Sequence, residues 1–128
     1  MKQDLNIEKD FLHDLFASFD SLGVGYCVLR NYETLPHSFG GSDLDMAVLP
    51  EQKEAAAALV HEVAKQYGGK PIADYVSSGR FIRILGCHEG TWWGAAIDLF
   101  WMMEYKGISY ISSKCVIARS KAYRGLKV

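Results

Sequence analysis

The chain has 128 residues, 49% hydrophobic and 23% charged, which fits one soluble domain with a real core. No apolar run approaches the ~20 residues that a membrane helix needs. The N-terminal MKQDLNIEKD has charges but no apolar stretch behind it, which excludes a secretory leader. The net charge of −1 hides an asymmetry: residues 1–104 carry fifteen acids against eight bases, whereas six bases and no acid follow Glu104. The acidic body argues against nucleic acid as a partner. The basic stretch 105–128 reads either as a solvated end of the single domain 1–128 or as the start of a missing C-terminal segment. Cys27, Cys87 and Cys115 are odd in number and widely spaced, which suits free thiols in a reducing compartment, the cytoplasm.

Apolar residues recur at three- and four-residue steps from Phe11 through Leu12, Leu15, Phe16 and Phe19 to Leu22. This predicts an amphipathic helix over about residues 6–22, ended by Gly23 and Gly25. Tyr26 to Leu29 is a short apolar strand. The polar loop RNYETLPHSFGGS follows, with Pro36 and two glycines as turn signals. Asp43 to Leu49 predicts a second strand. Pro50 and Glu51 suit a helix start, and EQKEAAAALVHEVAKQY supplies strong helix formers, with Leu59, Val63 and Tyr67 on one face. Four strands are expected beyond: Pro71 to Val76, Arg80 to Leu85, Gly94 to Trp101 and Gly107 to Ile111, with CHEGTWW as a hairpin turn. The order predicts an α/β (α+β) fold, a mixed sheet with helices packed mainly on one face.

Two carboxylates stand at the mouth of a strand that is otherwise built for burial, in Gly40 to Pro50, GGSDLDMAVLP. Strand alternation sends Asp43, Asp45 and Ala47 one way and Leu44, Met46 and Val48 the other. In GAAIDLFW the same rule separates Asp98 from Ile97, Leu99 and Trp101. If the two strands are neighbours, Asp43, Asp45 and Asp98 converge. Converging carboxylates stay ionised only when a cation joins them or water reaches them. A hard divalent ion with oxygen ligands is the natural partner: Mg²⁺ takes one or two carboxylates together with substrate phosphates. Two such ions can activate an attacking oxygen and stabilise a leaving one, the chemistry of phosphoryl and nucleotidyl transfer. An Asp-x-Asp alone is more often a solvated strand end; the later, centred Asp98 is what raises the pattern above that.

These residues resemble the nucleotidyltransferase fold of the DNA polymerase beta superfamily over roughly residues 20–105. The matching motifs are Asp43-Leu44-Asp45-Met46, approached by Gly41-Ser42, and Asp98 within Ile97-Asp98-Leu99. The resemblance implies that Asp43 and Asp45 bind Mg²⁺ or Mn²⁺, and that Asp98 completes the metal site or acts as base. Val28 to Pro36 followed by GSDLDMAV is also similar to small bacterial nucleotidyltransferase-like proteins found among polysaccharide-biosynthesis proteins, alone or fused to a second domain. One departure stands out. The superfamily's glycine pair at the end of the first strand, which holds the triphosphate, is replaced by Leu29-Arg30-Asn31. Arg30 can offer a bidentate guanidinium to phosphate and Asn31 a side-chain hydrogen bond.

The resemblance implies transfer of a nucleoside monophosphate from an NTP to a small acceptor. A partner, a second protomer or a further C-terminal domain would complete the acceptor site. The alternative is a degenerate module of the same fold that binds or regulates, and the third is a plain structural domain with solvated acids.

Arg80 and Arg83 lie on opposite faces of their strand, so one can meet the acids and a substrate phosphate while the other is solvated. Trp101 is expected in the core, and Trp92-Trp93 over a sheet edge. The four histidines lack zinc spacing, and only His37, in the loop before the acids, is near enough to test. P-loop, dinucleotide-binding and serine-nucleophile patterns are absent.

Overall fold

A computed structural model describes residues 2–105 and 108–128, with side chains described for 7–102 and 112–128. Helix α1 spans Lys2–Ser21, strand β1 Tyr26–Val28 and strand β2 Leu44–Val48. A 3₁₀ turn, Pro50–Gln52, leads into α2, Lys53–Gln66. Strands β3 (Gly69–Val76), β4 (Gly79–His88) and β5 (Thr91–Phe100) form an antiparallel meander. The chain closes with β6 (Met102–Tyr105), β7 (Ile108–Ser112), α3 (Ser113–Ala118), β8 (Ala122–Tyr123) and β9 (Leu126–Lys127).

The main sheet is five-stranded and mixed, in the order β1-β2-β5-β4-β3. Only β2 and β5 run parallel; the other neighbours are antiparallel. The fold is therefore the expected mixed α+β architecture. Among the described residues, no helix is long and apolar enough to cross a membrane.

One face of the sheet makes the core. Leu44, Met46 and Val48 of β2, Ile82 and Ile84 of β4, and Ile97 and Leu99 of β5 are buried with Phe11, Leu12, Leu15, Phe16 and Phe19 of α1. Helix α1 stops where the sequence placed the stop. The Gly23 N–H donates to Asp20 O and the Val24 N–H to Phe19 O, with Gly23 at φ +68°. These two bonds satisfy carbonyls that the helix end would leave orphaned. Leu22 sits on this reversal and is exposed rather than on the buried stripe. In α2 the buried stripe is Ala56, Ala57, Val60, Val63 and Ala64, with Leu59 and Tyr67 at its margin. The three alanines let this helix lie close on the sheet, which shifts the contact stripe from the larger residues.

Gly68, at φ +70°, turns the chain from α2 into β3, and a Cβ there would lie 2.1 Å from the Cys87 carbonyl oxygen, so no other residue fits. Trp101 is buried as expected. The Trp92-Trp93 pair divides: Trp93 is buried against Phe11 and donates Nε1–H to Tyr67 O, while Trp92 is exposed on the sheet's other face. Strand alternation forces this separation.

The basic C-terminal segment packs back on the sheet while its bases Lys114, Arg119, Lys121, Arg124 and Lys127 stay exposed to solvent. Helix α3, capped by Ser112 Oγ accepting from the Cys115 N–H, packs on β1 and β2, and hairpin β8–β9 packs on β1 with Leu126 buried. The strand expected from Gly107 is β7; Gly107 and Lys106 lie outside the described residues.

All three cysteines are free thiols, with Cys27 buried and Cys87 and Cys115 exposed. Tyr26 is fully buried between Phe16 and Phe19, and its hydroxyl accepts from the Lys127 N–H. Burial pushes the Tyr26 phenol up to about 12. The folded state therefore holds this proton after an unfolded chain has lost it. Its contribution to stability is complete below about pH 10 and is lost as pH rises through about 12. Burial and a hydrogen bond to Asp14 also raise the Tyr67 phenol, so a tyrosinate absorbance titration should show these two tyrosines ionising late, and Tyr26→Phe should reduce that late step by one tyrosine.

Candidate functional site

The first acid arrives by a loop. Residues 29–43 leave β1, reverse at Asn31 (φ +57°), and return through Gly40 (φ +66°) and Gly41 (φ +73°). Buried Leu35 and Phe39 pin this loop, Phe39 against Phe11 of α1, and Glu8 Oε1 accepts the Phe39 N–H at 3.0 Å. The chain then enters β2 at Leu44, one residue later than the sequence predicts, so Asp43 is the last loop residue. Free of the ladder, its side chain is 52% exposed.

The other two acids are set by sheet register. β2 and β5 are neighbours and parallel, and Asp45 and Asp98 are direct register partners. Both lie on the face opposite the core, as alternation requires. Asp45 is nonetheless only 3% exposed. Cys27 and Ala47 on the same face are also buried, and α3 packs on these two strands. Carboxylates are almost never this buried unless paired.

Two arginines supply the pairing. Arg30 Nε donates to Asp45 Oδ2 at 2.6 Å. Arg83 Nη1 donates to Asp98 Oδ1 at 2.7 Å, and its Nη2 lies 4.0 Å from Asp43 Oδ2. The guanidiniums of Arg30 and Arg83 thus gather all three acids. The hydrogen bond that Arg30 donates to Asp45 raises the Arg30 pKa above its ordinary value, and the one that Arg83 donates to Asp98 does the same for Arg83. Asp45 Oδ1, in contrast, is buried with no hydrogen-bond partner.

Arg80 points to the opposite face. The arginine of the pair that does not meet the acids was expected in solvent, but Arg80 is 8% exposed, forms a bidentate pair with Glu54 of α2 at 3.1 and 3.2 Å, and stacks on Tyr75 with its guanidinium carbon 4.2 Å from the ring centroid. Helix α2 covers that face, so the only outlet for the charge is a partner on the helix.

A cleft of about 350 Å³ opens beside Asp43, lined by Gly41, Ser42, Glu8, Phe39 and the Gly94–Ala96 stretch of β5. The small residues on β5 keep it open. Of the residues singled out from the sequence, Gly41, Ser42 and Asp43 face this cleft, while Arg30, Asp45, Arg83 and Asp98 form the charged cluster next to it. Asn31, at φ +57°, makes the turn that sends the loop away from β1. His37 is exposed, with its ring 6.1 Å from that of His13, and is not among the residues lining the cleft. Sequence reasoning missed Glu8. It lies in a helix of acidic and apolar residues, and nothing local distinguishes it.

Among the described residues, no group of three or more His, Cys, Asp or Glu side chains is placed to hold a metal ion. The donor chemistry still suits a hard cation: two carboxylates on adjacent strands, a third at the strand mouth, and one buried carboxylate oxygen without a partner.

No family model matches the chain, and no curated protein does. One solved structure that the chain resembles is the polymerase core of TRAMP, an RNA surveillance complex, with a TM-score of 0.41 and 18% identity. The match covers 84% of this chain and 34% of the other, so this chain spans about a third of that protein's length.

Proposed function

We propose that this chain is a nucleotidyltransferase-like domain that binds a nucleoside triphosphate with Mg²⁺ or Mn²⁺ and transfers the nucleoside monophosphate to a small acceptor. One observation carries the reading: Asp45 and Asp98 are register partners on the two parallel strands, and Asp45 keeps a buried, unpartnered Oδ1. A sheet gains nothing in stability from such a pair. Two like charges face each other across a ladder, and a buried oxygen without a partner costs about 1–3 kcal/mol.

Asp43, Asp45 and Asp98 would hold the cation, which supplies charge stabilisation for the phosphates and a template for in-line displacement. Arg30 and Arg83 are placed to bind the triphosphate oxygens, and Ser42 and Gly41 to line the nucleotide's approach through the cleft. The acceptor hydroxyl oxygen forms its bond to the α-phosphorus as the bond to the β-phosphate oxygen breaks, and pyrophosphate leaves. Asp98 receives the hydroxyl proton.

A second reading has its own observation. Arg30 stands where the superfamily has a glycine and is hydrogen-bonded to the central acid, which suits a module that binds a nucleotide without turning it over. Calorimetry with each NTP and Mn²⁺, followed by assay for pyrophosphate release, separates the two. Metal-dependent binding that disappears in Asp98→Asn, with release in the presence of an acceptor, supports the transferase. Binding without release supports the module. Absence of metal-dependent binding for every NTP removes both.

A further inference from the structure

The two arginines occupy the positions from which a cation and a polyphosphate would each compete. Three carboxylates and two guanidiniums form one cluster: Arg30 on Asp45 at 2.6 Å, Arg83 on Asp98 at 2.7 Å and within 4.0 Å of Asp43. The acids are fixed and the arginines are not. Asp45 and Asp98 are held by register in neighbouring strands, with side chains 4% and 13% exposed. The Arg30 and Arg83 side chains are 73% and 51% exposed, long, and open to solvent on their outer side.

Taking the cluster to be the metal and nucleotide site proposed above, we infer that Arg30 and Arg83 are exchangeable counter-ions, so that a divalent cation and an anionic polyphosphate bind together and neither binds well alone. A cation that enters alone takes the carboxylates and leaves two guanidiniums beside it without partners. A polyphosphate that enters alone draws the guanidiniums away and leaves three carboxylates facing one another. When both enter, each charge changes partner and none is abandoned. The carboxylates pass to the cation and the arginines to phosphate, which a guanidinium meets in the same bidentate geometry. Neither arginine can leave by losing its proton, because a guanidinium stays charged at any ordinary pH. The Leu29-Arg30-Asn31 replacement thus gains a role: in place of a passive backbone cradle, the site carries a charge that reports whether phosphate is present.

The test uses Mn²⁺ and inorganic tripolyphosphate, each alone and as the preformed complex, followed by calorimetry and by the electron paramagnetic resonance of free Mn²⁺. The unaltered chain should bind the complex at least ~10-fold more tightly than either component, a factor that one opposite-charge contact typically supplies. Arg30→Ala and Arg83→Ala should bind Mn²⁺ alone ~10-fold more tightly than the unaltered chain, and should lose most of the preference for the complex. Arg30→Ala leaves the buried Asp45 carboxylate without its partner, so circular dichroism checks its fold, and Arg83→Ala, whose partner Asp98 is more exposed, carries the test if Arg30→Ala does not fold. Variants that bind Mn²⁺ no more tightly than the unaltered chain overturn the counter-ion inference, even when Mn²⁺–NTP binding is normal. An unaltered chain that binds neither complex overturns the metal-site reading itself and the inference with it.

Discussion

Asp45→Asn should weaken cation-dependent nucleotide binding by more than about 100-fold while leaving the thermal midpoint unchanged or higher. The loss follows from the position. Even outer partners of metal ligands typically cost 10–100-fold when removed, and Asp45 is the innermost acid of the cluster. The stability result is the sharper part. Asp45 is 3% exposed, and only Oδ2 is satisfied, by Arg30. Its Oδ1 is buried without a partner. Asparagine has nearly the same shape and removes the buried charge, while its carbonyl can still accept from Arg30. Arg30 is 73% exposed and loses little, because water already screens that pair. Each kcal/mol shifts the midpoint by roughly 4 °C at this length, so the gain should be measurable by calorimetric unfolding. Acids retained at a cost in stability are the mark of a functional site. A clear drop in midpoint with nucleotide binding intact would make Asp45 a structural partner of Arg30 and nothing more.

Phe11→Ala should give the largest loss of stability, about 3–5 kcal/mol, the usual cost of deleting a fully buried phenylalanine. Phe11 has no exposed surface, and its ring meets Phe39 at 6.1 Å, Tyr67 at 6.2 Å and Trp93 at 5.1 Å between centroids. Those partners come from the acid-bearing loop, the end of α2 and β5. One side chain thus ties together three elements that are far apart in sequence. Because Phe39 anchors the loop that ends at Asp43, the variant should also weaken nucleotide binding at temperatures where it remains folded. Urea unfolding measures the first effect and calorimetry the second. A loss below about 1 kcal/mol would mean that the surrounding side chains collapse into the space.

These two residues show how differently the parts of the molecule could be read. The Phe11 stripe was legible because a helix repeats every 3.6 residues and its buried face leaves a periodic trace. The Gly23 stop was legible because a left-handed helix cap has one favoured residue. Alternation alone assigned Asp45 and Asp98 to faces, since a strand has only two. The same rule split Arg80 from Arg83, but it could not tell which face was open. The solvated arginine of the sequence reading is in fact clamped to Glu54 beneath α2. Likewise, nothing in Ser112 to Val128 showed that the basic end would pack back on β1 and β2, because a six-residue helix and two-residue strands leave too short a pattern.

The sequence by itself determined the buried stripe from Phe11 to Phe19, where α1 stops, and that Asp45 and Asp98 lie on strand faces opposite the apolar ones. These are local properties, set by backbone geometry and side-chain spacing. Only the tertiary structure decided that β2 and β5 are neighbours and parallel, that Asp45 meets Asp98 in register, and that Arg30 and Arg83 close over the acids. Strand order and register depend on contacts between segments some fifty residues apart. No spacing within either strand encodes them; they follow from packing the apolar faces of both strands into one core.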